Sequence, residues 1–185
     1  MRITALKSIA ADRLQQAAEL LVAAFREHWP DAWPDMDVAV ATVKAALASD
    51  RISRVAHDDA GAVVGWIGGI SGYRGHAWEL HPLAVRPDRQ RRGIGTALVR
   101  DLELAVRRRG ATSLYVLTDD EDAMTSLGGA DLYPDVLTNL ARIRDIKGHP
   151  FRFYQKLGVA LAGVIPDANG PGKPDILLAK RIAED

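Results

Sequence analysis

The stretch Gln90-Arg91-Arg92-Gly93-Ile94-Gly95-Thr96 sets two glycines two residues apart, immediately ahead of a strongly amphipathic run. Glycines so placed let consecutive backbone N–H groups approach an anion at a helix N-terminus, where the helix dipole favours negative charge. A diphosphate suits such a cradle better than a lone carboxylate. Two familiar phosphate loops are excluded. A dinucleotide fingerprint needs a third glycine where Leu98 stands, and no suitable acidic ribose ligand follows a next strand. A P-loop needs G-K-[ST], which does not occur. Upstream, Glu79 and His81 lie two apart, so in an extended strand they project to one face. Pro82 follows them and supplies no N–H, which places it at a bulge or splay; the apolar neighbours argue against an edge strand.

The elements that must position these residues are read from periodicity. A first strand within residues 1–9 leads to Ser8, a candidate cap for a helix with Leu14, Ala17, Ala18, Leu21, Val22 and Phe25 on one face. The proline-punctuated run 27–37 exposes Trp29 and Trp33, and a second helix is expected over 38–48. Two strands flank a turn at 58–61, and the strand carrying Pro82 comes next. The glycine loop opens a helix with Ile94, Leu98, Leu102 and Ala105 on one face and Gly110 as terminator. A buried strand, Ser113 to Thr118, follows. The spacing then predicts a short helix after Asp119 and a longer one within 136–146. A last helix has Pro150 in its first turn and stops at Gly158, before closing strands at 159–165 and 176–181. This order reads as an α+β sheet of mixed direction in a single domain, residues 1–185.

Composition narrows the partners. The 24 Lys and Arg residues balance 24 Asp and Glu, so no global charge points to nucleic acid or membrane. The basic run 86–109 contains no interleaved aromatic residue, which counts against a nucleic-acid face, and Arg107, Arg108 and Arg109 read as a solvated helix face. There is no cysteine, which excludes disulfides, thiolate metal sites and a cysteine nucleophile; no metal is expected. No signal peptide and no bilayer-spanning stretch is evident, so the expected location is the cytoplasm.

The segment VRPDRQRRGIGTALV resembles the acetyl-coenzyme A signature of the GNAT acetyltransferase superfamily, whose Q/R-x-x-G-x-G/A pattern is met by Gln90, Gly93 and Gly95. WELHPLAV, TDD, DLY, HPFRFYQKLG and ANGPGKPDILLAK extend the resemblance from about Trp29 to Lys180. Together they are similar to the aminoglycoside 6′-N-acetyltransferases with a WELHPL strand and a KPDI ending.

That resemblance implies a GNAT-like mixed, mostly antiparallel sheet with a splayed central strand pair and flanking helices. It implies that acetyl-CoA binds with its pyrophosphate on the amides of the loop, Gln90, Arg91, Arg92, Gly93, Ile94, Gly95 and Thr96. Leu83 and Val85 would pair with the pantetheine and acyl group. A strand distorted at Pro82 can also leave the Leu83 amide aimed at the thioester carbonyl. The resemblance assigns Glu79 to the substrate amine, as base through water, and Tyr154 to the coenzyme sulfur. His81 either orients substrate or is a hydrogen-bonded strand histidine. Val159 stands where the family often has an aromatic residue, which bears on cofactor packing and leaves the chemistry untouched.

Asp119 and Asp120 end a strand, where carboxylates can pair with a polycationic aminoglycoside. Thr118-x-x-Glu121 also spells a capping box. Substrate binding is expected for Asp119 and Asp120, and capping or solvent contact for Glu121 and Asp122. Asp135 and Asp175 are further substrate candidates; Trp29 and Trp33 either wall the sugar site, Trp29 as a substrate candidate, or are ordinary packing residues. Direct attack in a ternary complex is expected, since no cysteine is available for an acyl-enzyme. Other acceptors of the same chemistry are a polyamine, a small metabolite or a protein N-terminus. A non-catalytic coenzyme-binding module would be marked by loss of Glu79 or Tyr154, and both are present. A homodimer is implied by the resemblance alone.

Overall fold

In the computed structural model, which describes residues 1–8 and 11–183, the chain divides into two units. The first is Met1–Thr112 with the chain end from Ile182, and the second is Ser113–Arg181.

The first unit is built around four antiparallel strands: β1 (Arg2–Ala5), β2 (Arg51–His57), β3 (Val63–Gly72) and β4 (Ala77–Val85), paired in that order. The β2–β3 turn falls where predicted, with Asp58 accepting the Ala60 and Ala62 amides. Helix α1 (Ala11–Phe25) buries Ala17, Ala18 and Leu21 and packs Leu14, Val22 and Phe25 beside them, as its spacing requires. The capping role expected of the Ser8 side chain lies outside the described residues. Helix α2 (Met36–Ala45) starts two residues before the expected position because Asp35 caps it, accepting the Val38 amide at 2.9 Å. Trp33 departs from expectation: it is buried in the core with Leu21, Val43, Val55 and Trp66, and its Nε1 donates to Thr42 Oγ1.

Helix α3 (Ile94–Arg107) buries Ile94, Leu98, Val99, Leu102 and Val106, while Ala105 is half-buried. Glycines on β3 let it lie close: a Cβ at Gly65 or Gly69 would come within 2.9 Å of Leu98 or Leu102. Arg54 of β2 grips Asp101 of α3 through two hydrogen bonds of 2.6 and 3.2 Å.

The second unit is a three-stranded antiparallel sheet in which β7 (Asp175–Arg181) lies between β5 (Ser113–Asp119) and β6 (Ala160–Ile165). Two short helices, α4 (Val136–Ala141) and α5 (Phe151–Lys156), pack on it. The short helix expected directly after Asp119 does not form. Residues 120–130 form turns instead, and Thr118 donates its hydroxyl to Ile176 O rather than starting a capping box.

Candidate functional site

In the first unit, Gly93 is the N-cap of α3, with φ +82° and no side chain to offer the helix. The first intrahelical bond runs from Ala97 N to Gly93 O, leaving the amides of Ile94, Gly95 and Thr96 without a helical partner. A Cβ on Gly93 would meet nothing within 4 Å, so glycine is required there by backbone conformation and not by space. Arg91 is also left-handed, with φ +61°. The Gln90 side chain donates to Val85 O at 3.3 Å and ties the loop to the end of β4. Arg86 donates to both oxygens of Asp88 at 2.6 Å, which holds that carboxyl down to about 2 and occupies Arg86. Arg91 and Arg92 are exposed and pair with no carboxylate among the described residues. The result is a row of bare amides at the positive end of a helix, flanked by two free guanidinium groups.

Strand β4 carries the bulge that Pro82 predicts. Ile67 lies opposite Leu83 and Gly69 opposite Leu80, so His81 and Pro82 together face Gly68. A Cβ on Gly68 would sit 2.2 Å from His81 O; only glycine leaves that carbonyl room. Burial alternates through the distortion. Trp78, Leu80, Pro82 and Ala84 point inward, while Glu79, His81, Leu83 and Val85 share the more open face. A small cavity opens against the bulge, lined in part by Thr42, Arg51, Trp66, His81 and Pro82. The His81 ring lies 6.0 Å from that of Trp33, which packs 4.5 Å from Phe25; half-buried Trp29 is 5.8 Å from the same Phe25. Trp33 thus carries the α1–α2 core up to His81, a contact invisible in the sequence because it depends on α2 supplying Thr42.

In the second unit, Asp119 closes β5 directly opposite Asp175 at the start of β7, so two of the expected carboxylates meet at neighbouring strand ends. Asp119 Oδ1 accepts from Asn169 at 2.7 Å. Asp120 corrects expectation. It is fully buried, and its carboxylate accepts the Met124 amide, the Thr125 amide and the Thr125 hydroxyl at 2.6–2.9 Å. With its oxygens engaged inside its own loop, Asp120 organises the turn and leaves the set of substrate-facing residues. Asp135 is exposed and stands apart at the head of α4, accepting the Thr138 amide as a cap. Glu121 and Asp122 pair with Lys173 and Lys147.

Tyr154 is buried on α5, its ring edge-on to Phe153 at 5.1 Å. Burial pushes its hydroxyl far above the ordinary tyrosine value, so it stays protonated and can donate a hydrogen bond. The periodicity reading passed over His149, which is also buried. Its Nδ1 accepts the Phe151 amide at 3.2 Å and its Nε2 lies 3.1 Å from Asp119 O. A lone histidine before a proline carries no periodic signal, so only the fold reveals it.

The chain matches the family model described as Acetyltransferase (GNAT) family over residues 14–127. Acetyltransferase SG1711 of Sodalis glossinidius (strain morsitans) is 35% identical over 100 residues, 54% of this chain and 64% of the relative, so the match spans less than two thirds of that protein. Two solved structures are similar over 100% of this chain and 99% of their own, each at 38% identity. One is an aminoglycoside 6′-N-acetyltransferase complexed with coenzyme A, with a TM-score of 0.91; the other is the aminoglycoside 6′-N-acetyltransferase from Enterococcus faecium, with a TM-score of 0.89.

Proposed function

The chain belongs to the acetyltransferase (GNAT) family and has its mixed α+β fold, and from that premise we propose that it acetylates the 6′-amino group of an aminoglycoside with acetyl-CoA as donor. The observation that carries the donor is the bare start of α3, where Ile94, Gly95 and Thr96 present amides that fit a diphosphate. The acceptor is supported by the two 38% identical structures and by Asp119 facing Asp175 at the strand ends.

Acetyl-CoA supplies an acyl thioester; the chain supplies proton handling and orientation. Glu79 takes the proton from the attacking amine through water as the C–N bond forms. The Leu83 amide, next to the bulge, donates to the carbonyl oxygen as it gains charge. The C–S bond then breaks, and Tyr154 gives its proton to, or hydrogen-bonds, the departing thiolate. Attack is direct, in a ternary complex. Arg91, Arg92 and Gln90 hold the donor, Val85 and Leu83 align its pantetheine arm, and Trp29, His81, Asp119, Asp135 and Asp175 receive the aminoglycoside. On this reading residues 1–185 work as one acetyltransferase domain, as a homodimer in the cytoplasm, and confer aminoglycoside resistance.

The test is thiol release from acetyl-CoA across kanamycin-like, spermidine-like and peptide amines. Fastest turnover is expected with the aminoglycoside; preference for a peptide or polyamine would reject this acceptor. Glu79→Ala should slow turnover by about a hundredfold or more, and Tyr154→Phe by about tenfold. Unchanged rates in both variants would overturn the assigned roles.

A further inference from the structure

His149 is a buried polar residue with no part in the chemistry above. Its two ring nitrogens nonetheless reach the two segments of the second unit that the proposed reaction uses. The Phe151 N–H donates to Nδ1, and the Asp119 carbonyl can only accept, so the proton sits on Nε2 and the ring is neutral. Phe151 opens the short helix bearing Tyr154, and Asp119 ends β5. The main chain leading into His149 is held by Asp145, whose Oδ1 accepts the Gly148 and His149 backbone amides at 2.7 and 2.9 Å.

We propose that His149 is a positioning residue that locks the Asp119 end of β5 and the Tyr154 helix into one piece, so that acceptor and proton donor are aligned together. This rests on the reading that Asp119 meets the acceptor and Tyr154 the leaving sulfur. Only the neutral ring can do it, because a second ring proton would confront the Phe151 N–H. Burial holds the ring neutral; the carboxylates of Asp120, Asp145 and Asp119 pull the other way, and the Arg152 guanidinium lies 5.0 Å over the Phe151 ring. Glutamine can reproduce both bonds with its oxygen and its amide, and leucine can reproduce neither.

The experiment compares wild type, His149→Gln and His149→Leu from about pH 5.5 to about 8.5, with the amine that wild type turns over fastest. In the leucine variant, kcat should fall and acceptor KM rise by about tenfold each, with coenzyme affinity unchanged within about twofold. Hydrogen-exchange protection should drop at the end of β5 and in α5 together. The glutamine variant should recover most of the kcat, and its kcat should fall less between about pH 6.5 and about 5.5 than that of wild type. A leucine variant with wild-type kinetics, or one loosened only in α5, would overturn the proposal. So would a glutamine variant whose kcat falls with acid as steeply as that of wild type, a result readable even if the leucine variant does not fold. Should wild type acetylate no amine, the proposed function fails, and exchange decides the rest. Acid should then deprotect both segments in wild type and neither in the glutamine variant, and any other pattern rejects the tie.

Discussion

Asp119 and Asp120 are adjacent, identical in type and indistinguishable by charge, yet they do different work. Asp119 stands at the edge of the sheet with Asn169 and Asp175 around it, and Asp120 is sealed inside a turn. Replacing Asp120 with Asn sets an NH2 group against donors that already point at it, at a cost of about 2–4 kcal/mol in denaturation experiments. Asp119→Asn should alter stability by about 1 kcal/mol or less while raising acceptor KM severalfold. Equal loss of stability in the two variants would erase the distinction. The glycine turn that opens α3 was legible at this scale because its geometry is local: two glycines and a helix start define it. Asp120 was not, because its burial depends on Met124 and Thr125 folding back over it.

At the scale of elements, the two glycines Gly68 and Gly93 answer different demands. At Gly68 a Cβ would strike the His81 carbonyl, backbone against backbone, and neither strand can yield without undoing the bulge. At Gly93 the space is open and only the left-handed φ resists a side chain. Gly68→Ala should therefore lose about 3 kcal/mol or more, with kcat falling alongside, whereas Gly93→Ala should lose about 1 kcal/mol. Urea titration of both variants checks the order. Helices α1 and α3 were readable in advance because each is set by its own apolar period, and the β2–β3 hairpin because Asp58 and Gly61 mark its turn. Within residues 119–148 only the helix expected inside 136–146 was readable, and it is shorter than expected, α4 ending at Ala141. These residues are shaped by side chains binding main chain, through Asp120, Asp135 and Asp145, and such bonds leave no period to detect.

Across the whole molecule, positive and negative charge cancel, so net charge contributes little to its response to acid. Two buried histidines dominate instead, one in each unit: His57, beside Thr4, and His149. Burial lowers the pKa of both below the ordinary 6.5. The unfolded chain thus takes up protons that the folded one refuses. Stability is complete above the unfolded value of about 6.5 and declines as pH falls from there toward the depressed folded values. Urea midpoints should drop between about pH 7 and about 5.5, before most carboxylates titrate, and His57→Gln with His149→Gln should flatten the curve. A wild-type curve already flat over that interval would refute this account. The bare start of α3 has a consequence of another kind. On the proposed reading the groups that anchor the donor belong to the main chain, so no exchange of one side chain for another, short of proline, deletes them. Under evolutionary drift the grip on the donor can persist while the side chains that choose the acceptor are rewritten around it. A lineage built this way can inherit its reagent and change its target.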